Sequence, residues 1–454
     1  MNAFRAIYKL TLRAAMREKV AWSMLVLVIG TQILLPLGLR GDGTLSGELR
    51  MHIRYSIGLS SLLLAGMTLW ISCAAVSGDL STKRLQMVLT KPVSRAAVWW
   101  GKWLAVSTLS VSLLFLCGAV TLHRVYQTVR TADDPDPEIH QTLLTARRAV
   151  QADPVDLSQQ IEEMFADVVR TGRFAPGVTE EMVRTELGFM AQAQRHAATA
   201  GESVSWNFTF PAPIGHETDL QLAYLFDGAS MGAARIPGRW RIESPELNTA
   251  YTEEILDPPA GEHTLYINPD GRFRGARSLT VTFDNLSERE DMVFFRPETG
   301  IVLYQPHGAF APNLFRALLL LAGLLSLLAA LGVSAGSLFS LPVACYATAM
   351  TLIMRGFGDT VDQALREGTT LSRSPDQSLL LRAFNTFNHW VYRFVDLILK
   401  PLDINRPLDR VASGVLISGG EVLHTLFFRM TPVLLLIALA GILLFHQRET
   451  GVAE

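Results

Sequence analysis

The sequence predicts a polytopic α-helical membrane protein with six transmembrane helices and an inserted extracytoplasmic α+β domain containing an antiparallel β-sandwich. Three observations predict it. Apolar residues make up 49% of the 454-residue chain and charged residues only 18%, and the mean hydropathy is +0.25, more apolar than an ordinary soluble domain. The apolar residues gather in nearly uncharged runs, each long enough to cross a hydrocarbon core of roughly 30 Å as a helix. Between the third and fourth runs lies a long insert in which apolar and polar residues alternate between Pro and Gly turns.

The expected spans are residues 20–39, 55–76, 103–122, 314–333, 338–354 and 426–445. Ahead of the first, Arg5, Lys9, Arg13 and Arg17 recur at every fourth position, with Phe4, Ile7, Tyr8 and Leu12 on a neighbouring face. That is the pattern of an amphipathic helix lying in the interface, its basic edge held by anionic lipid headgroups. The same charges also serve as a plain topology signal. The first apolar run lacks a small-residue cleavage pattern and reads as a retained anchor.

Lys and Arg crowd the N-terminal segment, the 78–102 loop (Lys83, Arg84, Lys91, Arg95, Lys102) and the tail at Arg448. The hairpin between the first two spans carries fewer, Arg40, Arg50 and Arg54. By the positive-inside rule both termini are cytoplasmic and the insert, residues 123–312, is extracytoplasmic. The chain thus divides into 1–122, with the amphipathic helix, three spans and a cytoplasmic loop at 78–102; 123–312, outside; and 313–454, with three spans and an external amphipathic segment at 355–428. Within the insert, 138–200 is rich in Ala, Glu, Gln and Arg and reads helical. Strands are expected at 203–210, 220–226, 240–242, 263–267, 279–283, 292–295 and 301–304, a spacing that suggests a small antiparallel sandwich over 203–305. The segment 355–428 begins too polar to span, and its apolar faces should lie on the outer membrane surface or pack on the bundle.

Several function classes find no residues to carry them. No Gly-x-x-x-x-Gly-Lys-Ser/Thr phosphate loop is present, since Gly101-Lys102 lacks the upstream glycine and is followed by Trp103. Neither His-Glu-x-x-His nor Gly-x-Ser-x-Gly occurs, and His196, His216, His263 and His307 lack ligand spacing. Cys73, Cys117 and Cys345 fall inside apolar runs and read as small packed residues. A net charge of -2 without a basic domain gives no reason to expect nucleic acid as a partner. Gln32 in the first span is expected to hydrogen-bond between helices, and Arg316 and Arg429 to snorkel toward headgroups. Trp206, Tyr224, Trp240 and Tyr266 are either sandwich core or a binding platform. No catalytic site, metal site or cofactor of this chain is assigned.

The 78–102 loop carries the functional signal. Asp79 follows the second span; Leu85, Val88 and Leu89 form an apolar patch beside Lys83 and Arg84; Pro92 stops the short helix through its restriction on Lys91; Ser94 can cap a helix beginning at Arg95. Any polytopic protein has basic inner loops, but a short helix, a stop and a capped return make a compact knob able to transmit force.

Asp79, the apolar patch, Lys91-Pro92-Val93-Ser94-Arg95 and Gly101-Lys102 together resemble the inner loop of permease subunits of type 2 ABC transporters, the exporter-like superfamily. Gly308-Ala-Phe-Ala-Pro-Asn313 with Arg316, Phe339-Ser-Leu-Pro-Val-Ala344 and Phe445-His-Gln-Arg-Glu449 add to the resemblance, which covers the membrane part, roughly half of the chain. It implies that the loop is a coupling helix seated in a groove of a separate ABC ATPase subunit, which binds ATP and Mg, and that a second permease half, identical or not, completes the assembly. The implied contacts are Asp79, Lys83, Arg84, Leu85, Val88, Leu89, Pro92 and Arg95. The chain departs from the family pattern in lacking a Gly a few residues after the acid and in carrying the large outer domain. Two other classes fit the same sequence: a mechanotransmission protein that moves its outer domain without transport, and a membrane-anchored receptor without an ATPase.

Overall fold

A computed structural model describes residues 2–38, 45–82, 93–131, 144–171, 180–215, 220–228, 237–255, 261–267, 271–287, 292–297, 300–356 and 405–447. The chain forms two compact units, Met1–Ala146 with Gly308–Glu454, and Arg147–His307.

The first unit is helical: α1 (Asn2–Ala15), α2 (Lys19–Gly38), α3 (Leu45–Ser81), α4 (Arg95–Thr131) and, after the second unit with its α5 (Ser158–Arg170) and α6 (Glu180–Arg195), α7 (Phe310–Leu338), α8 (Leu341–Gly356), α9 (Asn405–Ala412) and α10 (Gly419–Gln447). Among the described residues four helices are long and apolar enough to cross a membrane: Gly47–Ser81 within α3, and α4, α7 and α10. A fifth exists if the broken pair Phe4–Ala15 and Lys19–Leu35, bent by 66°, counts as one span. The span expected at 338–354 is short, with an apolar part of Leu341–Ile353 against the roughly 20 residues a crossing takes. Backbone geometry explains the interruption: Phe339 is extended (φ -114°, ψ 164°), and Pro342 suits only the first turn of a new helix.

Helix α7 lies at the centre, with Leu324, Leu325, Leu328, Ala329, Ala330 and Val333 buried. Its small residues set the closest approach. A Cβ added at Gly332 would meet Ser72 Oγ at 1.7 Å, and one at Gly336 would meet the Cys73 carbonyl oxygen at 2.6 Å, so α3 and α7 touch nearly backbone to backbone. Helix α10 instead leaves Leu435, Leu436, Leu439 and Leu443 exposed, an apolar stripe suited to lipid. It starts earlier than the expected 426–445 because Ser418 caps it, accepting from the Glu421 N–H at 3.1 Å. A π-helical turn, Thr425–Met430, then carries it past Gly323, where an added Cβ would lie 2.5 Å from Met430 Sδ.

Of the segment 355–428, residues 357–404 lie outside the described residues. The remainder packs on the bundle: Leu408 and Val411 are buried in its core, and Arg54 pairs with Asp409 at 3.1 Å. Asn313 holds the turn after α9, donating to Val415 O at 2.8 Å and accepting from the Ile417 N–H at 2.7 Å. Arg316 donates to Ile417 O at 3.1 Å, so it is a helix-to-turn tie where a snorkelling side chain was expected.

The second unit contains two antiparallel sheets. One has the order β1 (Thr145–Gln151), β10 (Ile301–Ala309), β4 (Leu220–Gly228), β9 (Val293–Phe295) and β2 (Ala197–Ala198), with β7 (Gly261–Ile267) also on β4. The other runs β3 (Ser203–Thr209), β8 (Ser278–Asn285), β5 (Gly238–Ser244), β6 (Thr249–Ile255). Alternation decides the inward faces: in β3, Val204, Trp206 and Phe208 are buried while Ser203, Ser205, Asn207 and Thr209 are exposed. Both sheets feed one core, with Trp240 of β5 4.9 Å from Tyr224 of β4 and Phe283 of β8 5.2 Å from Phe295 of β9, measured between ring centres.

The helical expectation for 138–200 holds at α5 and α6 but needs correction at β1 and β2, which are strands. In β1 the helix-favouring residues of Thr-Ala-Arg-Arg-Ala-Val-Gln are overridden by pairing beside β10. Arg147 is buried there, donating to Gln221 and stacking 4.8 Å from the Tyr304 ring centre.

Candidate functional site

The residues flanking 83–92 are fixed to the bundle on both sides. Ser94 Oγ accepts from the Ala97 N–H at 3.2 Å and starts α4 at Arg95, so Lys102 lies two turns inside a helix where the sequence suggested the end of a loop. Its side chain is buried, and its ammonium donates to Asp79 Oδ2 at 2.5 Å and to the Ala75 carbonyl. Removing an ammonium from water is expensive and is offset only by a close carboxylate and further acceptors; Asp79, in the last turns of α3, supplies the carboxylate. This pair locks the end of α3 to the start of α4.

Arg95 makes a second tie. Its guanidinium donates to the carbonyls of Phe445, at 2.7 Å, and His446 in the last turn of α10, and lies 5.7 Å from the Phe445 ring centre. A cation at a helix C-terminus meets both the orphan carbonyls and the negative end of the helix dipole. Val98 and Phe445 are buried together, with Ile7, Leu80 and Val93 against them.

The third tie is α1. Its apolar face packs on α4, where Gly101 has no side chain to separate them: an added Cβ would sit 3.0 Å from Ile7 Cγ2. Thr11 and Ala15 are buried, whereas Arg5, Lys9, Arg13 and Arg17 are exposed. The amphipathic pattern is therefore used on the bundle, leaving the basic edge outward. Trp99 reaches Ser334 Oγ of α7 at 3.2 Å and Trp103 reaches Ser326 O at 2.9 Å. One end of the bundle thus gathers α1, α3, α4, α7 and α10 around the two flanks of 83–92.

Of the expected contact residues, Asp79 and Arg95 are described, and they engage different partners. Lys83, Arg84, Leu85, Val88, Leu89 and Pro92 lie outside the described residues. Lys102 is the residue whose part sequence reasoning missed; its spacing from Asp79 is signal only once α4 is known to begin at Arg95. Phe445 belongs to a stretch that adds to the resemblance, but nothing in the sequence signals that its carbonyl meets Arg95 or that Ser334 meets Trp99.

Elsewhere, Gln32 bridges helices, donating to Ser60 Oγ at 2.9 Å and accepting from Ser56 Oγ at 3.0 Å. Trp206, Tyr224 and Trp240 are buried in the core between the sheets and offer no exposed platform. Cys73 and Cys117 are buried and Cys345 half-buried. Among the described residues no group of three His, Cys, Asp or Glu could hold a metal ion. No family model matches the chain, and no curated protein matches it.

Proposed function

We propose that this chain is the membrane-spanning permease subunit of an ABC transporter, coupling ATP hydrolysis by a separate ATPase subunit to export or conformational work across the membrane. It crosses the bacterial inner membrane six times, α2 and α8 being counted as spans. Both termini are cytoplasmic and residues 123–312, with their β-sandwich, are extracytoplasmic. ATP and Mg bind the partner, no chemistry occurs in this chain, and a second permease half completes the path.

The observation that carries this is the clamp beside 83–92. A push on a loop does work on a bundle only if both flanks are rigidly joined to it. Asp79–Lys102 joins one flank to two helices, and Arg95 joins the other to the end of α10. Leu85, Val88 and Leu89, the apolar patch of the loop, are the proposed contacts to the ATPase groove, with Lys83, Arg84 and Pro92 shaping it and Arg5, Lys9, Arg13 and Arg17 holding headgroups beside it.

The test is purification from native membranes. An ATPase is expected to copurify with the unaltered chain and to be lost on Leu85→Asp or Leu89→Asp; no associated ATPase after mild extraction would overturn the proposal. One observation favours mechanotransmission as a second reading. The α3–α7 seam leaves no room for a Cβ at Gly332 or Gly336, which suits a bundle that transmits motion without opening between those helices.

A further inference from the structure

Helices α5 and α6 of the second unit pack side by side, burying Phe165, Leu187 and Ala191. Alongside runs an open groove of about 770 Å³. Met164, Val168, Val183 and Leu187 form its floor, and the exposed Met182 and Met190 form its α6 lip. Carboxylates stand on both sides: Glu163 and Asp167, one turn apart on α5, and Glu186, midway between Met182 and Met190 on α6.

Among the described residues, the basic side chains nearby leave that rim acidic. Arg184 is engaged away from it, 3.9 Å from the Phe165 ring centre and paired with Glu162 and Glu180 at 3.0 and 3.2 Å. Arg170 pairs with Asp167 at 2.6 Å, but both side chains are exposed and the pair is screened.

We propose that this groove binds a basic amphipathic peptide segment. Its apolar side chains, at helical spacing, enter the groove over Met164 and beside Met182 and Met190, and its Lys and Arg residues meet Glu163, Asp167 and Glu186. A helical segment laid along α5 and α6 would cover the remaining apolar strip as a third helix does in a bundle. Unbranched methionines adapt to different apolar partners, so a groove lined by Met164, Met182 and Met190 selects for amphipathicity and positive charge more than for one sequence. This goes beyond the permease proposal and stands without it.

The experiment uses the full chain in zwitterionic lipid nanodiscs, with empty nanodiscs as the blank. The probes are a fluorescein-labelled Leu/Lys amphipathic peptide and its Leu/Glu counterpart, read by anisotropy. The Leu/Lys peptide is expected to bind saturably, and the Leu/Glu peptide not to. Combining Glu163→Lys with Glu186→Lys should weaken Leu/Lys binding about tenfold and confer binding of the Leu/Glu peptide, a swap that misfolding cannot mimic. Met190→Gln should weaken the Leu/Lys peptide while leaving the charge preference unchanged. No saturable binding, equal binding of the two peptides, or insensitivity to the charge reversal would overturn the proposal. So would tight binding of a neutral alkyl amphiphile in place of the peptide, which would assign the groove to lipid.

Discussion

At Lys102 an ammonium is enclosed among helices and depends on one carboxylate, so removing either partner has an asymmetric result. Asp79→Ala leaves a buried cation and is expected to cost about 2 kcal/mol, below the range for a fully enclosed pair because the Asp79 side chain keeps 36% of its exposure. The double change Asp79→Leu with Lys102→Met removes both charges and should recover most of that loss, read as the thermal midpoint of the protein in one detergent. Equal loss in the single and double variants would contradict the lock. A second residue-scale expectation concerns pH. Burial, then the neighbouring Arg195, lowers the pKa of His196, whose Nδ1 accepts from Trp206 Nε1–H at 3.3 Å. The unfolded chain takes up this proton near the ordinary value of about 6.5 while the folded chain resists. The His196 contribution is therefore level above that pH and is lost as pH falls from there toward the folded value. Tryptophan fluorescence of thermal unfolding should show stability declining below about pH 6.5, and His196→Gln should flatten that slope; an unchanged slope would refute it. Neither pair is legible in the sequence, because each joins residues whose proximity depends on where a helix or strand begins.

At the scale of elements, the α3–α7 seam makes the sharpest demand. Gly332→Ala is expected to cost about 2 kcal/mol through overpacking against Ser72, and adding Ser72→Gly should restore part of it; the thermal midpoints of the two variants provide the check, and no loss in the single variant would contradict the contact. Strong periodicity made several elements readable beforehand. Strands with large inward residues, such as Val204, Trp206 and Phe208, announce themselves by alternation. Strand β6 does not, since Thr-Ala-Tyr-Thr-Glu-Glu-Ile at a sheet edge is only half-buried on one face, and β1 reads as helix until β10 is beside it. The stretch 338–354 reads as one apolar run; what hydropathy omits is the extended turn at Phe339, after which α8 restarts at Leu341 with a short apolar part.

At the scale of the whole chain, the sequence made a membrane bundle and a separate β-rich unit visible, because apolar runs and alternating runs bury their surfaces in different ways. The proposed partner is a matter of the loop at 83–92, whose described flanks the bundle holds and whose sequence carries Leu85, Val88 and Leu89. The most direct measurement places a photo-crosslinking amino acid at Val88, and as a comparison at Thr282 in β8, in native membranes, and identifies the captured proteins by mass spectrometry. Crosslinking at 88, and not at 282, to a protein carrying a Gly-x-x-x-x-Gly-Lys-Ser/Thr phosphate loop is the expected result. Capture of no nucleotide-binding protein at 88, or of the same one at 282, would contradict the proposed coupling.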